Sequence, residues 1–396
     1  MKNRDIIVLG QQDWESALGS NNINIAKEFA KQNRVLYVDQ ALDRKTLKNH
    51  KQDPLVQKKL GYVKQRKVGV EKVQDNLWVL YPSSILESIN WLPEGFVYEI
   101  ANRVNNGRLA KSIQQAIVQL GFTDAVIFND SLISKGVHLK DLLKPNLYIY
   151  YSRDNFSSQP YFQKHALREE RNIIAKSDLV VTNSAQLAEI AKESNPKSYD
   201  IGQGCDLSLY DPGTSVAKDL QAIPKPIIGY TGFLTSMRLD IELLAHIATT
   251  RPDWSIVLIG PEDEAFKASR LHQIPNIHFL GNRKPDELAT YIQGFDVAMN
   301  PQLVNELTRG NYPRKIDEYL AMGKPVVATK TDFMQYFEGY CYLATDGPSY
   351  VTFIEKALQV DTPELHQNRI AFAHTHSWEK NVEKIYELVG QVMVDR

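Results

Sequence analysis

The chain has 396 residues, 43% hydrophobic and 23% charged, with 46 Lys and Arg against 47 Asp and Glu and a formal net charge of −1. That balance excludes bulk attraction to nucleic acid, and no apolar run approaches the roughly 20 residues of a membrane-spanning helix. The length exceeds what one hydrophobic core usually serves, so two domains of roughly 200 residues are expected. Cys205 and Cys341 alone supply neither a disulfide framework nor a zinc site and suit a reducing compartment. Met1-Lys2-Asn3-Arg4-Asp5 runs into a strand without a signal-peptide core, and a cytoplasmic location is expected.

Ile6-Ile7-Val8-Leu9 is a continuous apolar run closed by Gly10, the pattern of a central parallel strand. Ile25, Ala26, Phe29 and Ala30 then recur at helical spacing before the strand from Arg34 to Val38. Between them, Gln11 to Asn21 form a long polar loop at a strand's carboxyl end, where open α/β sheets bind ligands. The loop lacks GxGxxG spacing. It reads either as a ligand loop carrying Asp13 and Trp14 or as a plain connection. Strand-like runs at Leu77–Tyr81, Ala125–Phe128, Leu147–Tyr151 and Leu179–Thr182, separated by helical stretches, predict a parallel, doubly wound sheet. Asp154, in the polar turn after Tyr151, either reaches a ligand or caps a helix.

Residues 43 to 72 hold ten Lys or Arg against three Asp or Glu. The bland reading is a solvated insertion. The sharper one is a patch over residues 44–72 that meets an anionic membrane surface, at roughly 1 kcal/mol per basic residue. Ile85, Leu86, Ile89, Trp91 and Leu92 are either its apolar partner or part of the core.

The non-periodic stretch from Asp211 to Pro226 is expected to be a linker. This gives a first domain over 1–210, a linker over 211–226, a second domain over 227–376 and a closing helix over 377–396. The second domain has apolar strands at Ile227–Tyr230, Ile256–Ile259, Ile277–Leu280, Val297–Met299 and Val326–Ala328. Gly260-Pro261 and Gly281-Asn282-Arg283 end two of them on one edge of the sheet. In the last segment Val382, Ile385, Tyr386, Val389 and Val392 lie at helical spacing. His374-x-His376 has no third ligand nearby and marks a helix end, and Glu262-Asp263-Glu264 are acids of a helix's first turn, so no metal site is expected.

The stretch Asn305 to Thr329, NELTRGNYPRKIDEYLAMGKPVVAT, carries the most chemistry. Pro313 suits a helix's first turn and Gly323 the residue past its end, which predicts a helix from Arg314 to Met322. Ile316 and Leu320 face the sheet; Lys315 and Glu318, three apart, share another face near the N-terminus. A phosphate docked there gains from the helix dipole and from Lys315, and Glu318 can accept hydrogen bonds from a ribose diol. A surface Lys–Glu pair is the bland alternative, worth roughly 0.2–0.5 kcal/mol.

The string Pro313-x-Lys315-x-x-Glu318-Tyr319-Leu320-Ala321-x-Gly323-Lys324-Pro325-Val326-Val327 resembles the donor-site motif of GT-B glycosyltransferases, specifically retaining family 4 and its bacterial cell-surface polysaccharide branch. The resemblance implies that Lys315 contacts the donor's diphosphate and Glu318 its ribose. Gly229-Tyr230-Thr231-Gly232-Phe233-Leu234 and Arg238 also match, with the Gly232 turn letting phosphates approach the backbone and Arg238 sharing their charge with Lys315. Gly260, and a nucleobase near Asn282 and Arg283, complete the implied donor site. The family's first glutamate would stand at 310, where this chain has Gly310. Glu306, Thr308 and Asn311 are the candidates to grip the sugar, and Asn305-x-x-Thr308 resembles a branch that also lacks that glutamate. Gln12-Asp13-Trp14 resembles the same branch and places Asp13, Trp14 and Asp154 on the acceptor side.

The fold implied is α/β, with two Rossmann-like doubly wound domains facing a cleft and a last helix crossing back to the first. The function implied is transfer, without metal or cofactor, of a sugar from a nucleotide-sugar donor to a saccharide or lipid-linked acceptor. The anomeric configuration is retained, and Arg238 and Lys315 act catalytically on the departing diphosphate. Two rivals stand beside it: a sugar-nucleotide epimerase using Asp13 and Asp154 as acid and base, and a binding protein that has lost transfer at Gly310.

Overall fold

The computed structural model describes residues 1–16, 20–65, 67–153, 165–305, 308 and 312–394. The chain forms two compact units, Met1–Gly204 with Trp378–Arg396, and Cys205–Ser377. The expected positions Asp154, Glu306, Gly310, Asn311 and Arg66 lie outside the described residues, as do 17–19 of the first polar loop.

The first unit is built on β1 (Asp5–Leu9), β2 (Arg34–Val38), β3 (Gly69–Gln74), β4 (Leu77–Tyr81), β5 (Val126–Asp130), β6 (Leu147–Ser152), β7 (Leu179–Thr182) and β8 (Ser198–Asp200). They lie in the order β3-β4-β2-β1-β5-β6-β7-β8, every pair parallel except β3 on β4. Alternation along β1 sends its side chains to two cores. Ile6 and Val8 pack with Ile25 and Phe29 of α1 (Asn21–Ala30), whereas Ile7 and Leu9 pack with Leu109 and Ile113 of the long helix Phe96–Leu120. The closing helix Trp378–Val394 lays Val382, Ile385, Val389 and Val392 against the α1 face, so its expected apolar stripe is a core stripe of this unit. The chain leaves β1 toward β2 on one side and later returns at β5 on the other. The β1/β5 carboxyl edge is therefore the topological switch point, where such sheets bind ligands.

The second unit is wholly parallel, in the order β11-β10-β9-β12-β13-β14, from β9 (Ile227–Thr231), β10 (Ser255–Ile259), β11 (Ile277–Gly281), β12 (Val297–Asn300), β13 (Val326–Thr329) and β14 (Cys341–Ala344). Its switch point lies between β9 and β12. The donor-motif helix is Lys315–Ala321, shorter than predicted, with Ile316, Tyr319 and Leu320 fully buried.

Two expectations change. The stretch 211–226 is not a free linker, because Leu220 is buried among Ile292 and Phe295 and the Gln293 amide donates to the Pro212 carbonyl at 2.8 Å. Its apolar Val216, Leu220 and Ile223 give it a face to bury, and the chain changes unit instead at Gly204/Cys205. The basic stretch 44–72 is not one solvated insertion either. It forms the helices Arg44–Asn49 and Pro54–Gln65 and the strand β3, with Leu55 and Tyr62 packed on the first core and Val56 buried.

The closing helix contributes real core to the first unit. Ile385→Ala is expected to lower that unit's stability by about 2–5 kcal/mol, read from urea denaturation. A loss under about 1 kcal/mol, the size of a surface change, would deny the helix that role.

Candidate functional site

In the second unit the carboxyl ends of three strands are drawn together by glycines. Gly232 (φ 138°) donates its N–H to the Ile259 carbonyl at 2.8 Å, and Gly260 (φ 148°) donates to Gly281 at 2.9 Å. Both are in conformations that disfavour a side chain, and a Cβ at Gly260 would collide with the Gly232 carbonyl oxygen. Backbone is thereby exposed at the sheet edge beside Lys315, whose Nζ lies 3.3 Å from where a Gly232 Cβ would be.

Lys315 opens the donor-motif helix. Its half-buried ammonium lies over the Tyr230 ring, 4.8 Å from the centroid. Burial holds its pKa below the ordinary lysine value, and the positive charges of Arg238 and Arg314 add to that effect. Arg238 is exposed on the turn after β9, and its carbonyl accepts from Leu303 N–H at 2.7 Å. Among the described residues no carboxylate forms an ion pair with Lys315 or Arg238. Two cations with no ion-paired acid among the described residues, one of them beside exposed backbone, suit an anion. Glu318, one turn on, is half-buried; burial pushes its pKa up, against the pull of Lys315 and the Tyr210 hydroxyl.

The remaining donor-side positions divide. Asn305 and Thr308 are spent on their own turn: Thr308 N–H donates to Asn305 Oδ1 at 3.0 Å, the buried Thr308 hydroxyl donates to the Leu303 carbonyl, and Asn305 Nδ2 reaches the Met237 carbonyl at 3.0 Å. They tie Leu303, Asn305 and Thr308 to one another and to the Arg238 turn. Asn282 is exposed beyond β11. Arg283 is paired with Asp219 at 2.9 Å and lies over Tyr291, so its charge is already engaged. Sequence reasoning missed Asp317, Tyr319 and His376. The signal for Asp317 was its place between Ile316 and Leu320 on the buried face.

In the first unit Asp13 lies at the carboxyl end of the sheet, held by an ion pair to Lys59. Lys59 is buried and uses all three ammonium hydrogens, on Asp13, on Asp39 at 3.1 Å and on the Gln40 carbonyl at 3.0 Å. Trp14 donates its backbone N–H to Asp39 Oδ2 at 3.2 Å, and its ring packs edge-on to Tyr37 at 5.2 Å, so the residue belongs to the loop's anchoring. Lys135, after β5, donates to Gln40 Oε1 at 3.1 Å, and Arg153 pairs with the buried Asp130 at 2.9 Å. The clamp from Lys59 was hidden inside a charge run, although its spacing from Leu55 and Val56 puts it on that helix's apolar face. Lys58 is likewise taken, by Glu15 at 2.7 Å and Glu71 at 2.9 Å. A membrane patch therefore cannot include Lys58 and Lys59. Among the described residues no group of three or more His, Cys, Asp or Glu is arranged to hold a metal, and no helix is long and apolar enough to cross a membrane.

Comparison with known proteins places this geometry. The chain resembles the solved sucrose-phosphate synthase of Thermosynechococcus elongatus with a TM-score of 0.62 at 16% identity over all of both chains. It fits Anabaena Alr3699/HepE in complex with UDP with 0.65 at 17% over 98% of this chain and 100% of that one. The fold is GT-B. The GT-B units here also carry a sequence match, since residues 225–358 fit the family described as glycosyl transferases group 1, spanning β9 to β14 and the donor-motif helix. TuaH of Bacillus subtilis (strain 168), provisionally named a teichuronic acid biosynthesis glycosyltransferase, is 26% identical over 257 residues, 60% of this chain. The match spans 63% of the length of that curated relative.

The Asp13–Asp39–Lys59 cluster gives the carboxyl edge of the first sheet a pH signature. Burial, then the hydrogen bond shared with Asp13, pushes Asp39 up from 3.8 to about 7. The folded chain thus holds a proton on Asp39 that the unfolded chain has lost, so the Asp39 contribution to stability is full below about pH 4 and is lost as pH rises through about 7. Asp13, which burial alone would raise but its hydrogen bonds with Asp39 and Lys59 hold low, works in the opposite sense and contributes only above its unfolded value. Asp13→Asn leaves Asp39 alone with Lys59 and is expected to flatten that decline in the melting temperature. Parallel profiles for the two proteins would contradict the shared-proton account.

Proposed function

We propose that the chain is a retaining glycosyltransferase of the family 4 type. The second unit binds a nucleoside-diphosphate sugar, and the first binds a saccharide or lipid-linked acceptor in bacterial surface polysaccharide or glycolipid synthesis. The observation that carries this reading is the pair of cations, Lys315 against the Gly232 turn and Arg238 close enough to act on its charge, neither ion-paired to a carboxylate among the described residues. Such a pair stabilises the charge that builds on a departing diphosphate, and it does so without reorganising at the moment of reaction. The diphosphate oxygen then takes the acceptor's proton as the new glycosidic bond forms on the same face of the sugar. Glu318 holds the ribose. The donor is itself the substrate, and the reading calls on no metal or cofactor. UDP and UDP-glucose in the HepE structures support a nucleotide-sugar donor here, and the TuaH match supports a surface polysaccharide as destination. The epimerase reading loses weight because Asp13, its proposed acid or base, is bound to a buried lysine.

We also place the protein on the cytoplasmic side of the membrane, meeting anionic lipid through the exposed Lys45, Lys48, Lys51, Lys64 and Lys67. Changing these five to Gln is expected to abolish salt-sensitive binding to phosphatidylglycerol vesicles while donor binding persists. Equal vesicle binding by both proteins would remove the membrane from the account.

Lys315→Ala tests the central reading. Losing one preorganised charge contact should lower turnover about 10²-fold or more, close to 3 kcal/mol of barrier. Release of nucleoside diphosphate from sugar nucleotides in the presence of acceptor reports it. An Ala variant that turns over like wild type would defeat the proposal.

A further inference from the structure

Directly beneath the donor residues lies a buried polar chain that no step of the transfer uses. Asp317 stands between Lys315 and Glu318 on the same short helix, and it is fully buried. One of its carboxylate oxygens meets His376 Nδ1 at 2.8 Å and the other accepts from the Tyr312 hydroxyl at 2.6 Å. The His376 Nε2 faces the Tyr336 hydroxyl at 2.9 Å. The ring is boxed edge-on by Phe372 at 4.7 Å, which fixes its orientation.

The backbone of His376 has a second attachment. Its carbonyl accepts from Cys205 N–H at 2.8 Å, and Cys205 and Ser377 form a parallel bridge. Cys205 is the first residue of the second unit and Ser377 the last, so His376 sits where chain entry and chain exit are laced together. One residue therefore grips the donor helix with its side chain and the entry segment at Cys205 with its backbone. Burying a carboxylate costs free energy unless it is fully hydrogen-bonded, and burial does push the Asp317 pKa upward. An apolar residue would pack this helix face at lower cost. What the Asp–His pair supplies instead is a directional link, one that fixes the angle of the helix as well as its depth.

We propose that Asp317 and His376 are positioning residues that hold the donor helix in register with the paired entry and exit segments, so that donor binding is felt at Cys205. This rests on the donor-site reading of Lys315 and Glu318.

Amide hydrogen exchange with and without a saturating nucleoside diphosphate tests it, using whichever of UDP, GDP and ADP binds tightest. In wild type the ligand is expected to slow exchange both in the helix Lys315–Ala321 and at the Cys205 amide. In Asp317→Asn and in His376→Gln the helix should still be protected while ligand-dependent protection at Cys205 is lost. Phe372→Leu loosens the packing around His376 without breaking the pair, and should lower the melting temperature but keep the protection. Cys205 protection that survives in both pair variants, or that is missing in wild type while the helix is protected, overturns the proposal. A wild-type helix with no protection by any of the three nucleotides would instead refute the donor-site reading, and the proposal with it.

Discussion

The Thr231 backbone N–H donates to the Tyr319 hydroxyl at 2.8 Å, inside the protein, and the placement of Lys315 and Glu318 depends on that bond. Thr231 is the last residue of β9 and Tyr319 the middle of the donor-motif helix, so one hydrogen bond joins the switch-point strand to the helix that carries Lys315 and Glu318. Fixed there, Lys315 can only lie over Tyr230 and against Gly232. Glycine at 232 and at 260 is the matching requirement on the strand side, where backbone must come close to backbone. Cation, glycine turn and helix start form one arrangement, and an anion is the component that would complete it.

The first unit solves a related problem with the opposite sign balance. Its polar loop after β1 has to be held in one place at a sheet edge without filling it, and Lys59 does this from below by spending every ammonium hydrogen on the ends of β1 and β2. Breaking such a buried pair by removing one partner typically costs 3–5 kcal/mol. The loop is held at Asp13 and Trp14 for that reason, which favours presentation of a fixed surface over acid–base chemistry by Asp13 itself.

Much of this was legible in the sequence, for identifiable reasons. Continuous apolar runs such as Ile6–Leu9 and Ile256–Ile259 announce buried parallel strands, and each expected run became one. Pro313 and Gly323 bracketed the donor helix to within a residue or two. The strands β3, β8 and β14 were not foreseen, because an edge strand such as Gly69–Gln74 alternates with charges and Ser198–Asp200 is three residues long. The stretch 211–226 looked like a linker because it has no periodic pattern and carries Pro212, Gly213, Pro224 and Pro226 near its ends, yet a few apolar residues sufficed to fold it onto the second unit. Lys59, Asp39, Asp317 and His376 were hidden for a common reason. A buried charge is defined by its partner, and the partners lie between 20 and 59 residues away. Pattern reading along the chain finds hydrophobic faces far more readily than it finds polar pairs across them.

The central claim is that the second unit is built around a diphosphate, and titration calorimetry of a nucleoside series measures this most directly. At moderate salt the nucleoside diphosphate should bind at least about 100-fold more tightly than the bare nucleoside, as two charge-assisted contacts of about 1.5–3 kcal/mol each would give. The monophosphate should fall between them, and added salt should narrow the gap. A nucleoside that binds as tightly as its diphosphate would mean that Lys315 and Arg238 do not meet the phosphates, and the account of the site would be wrong.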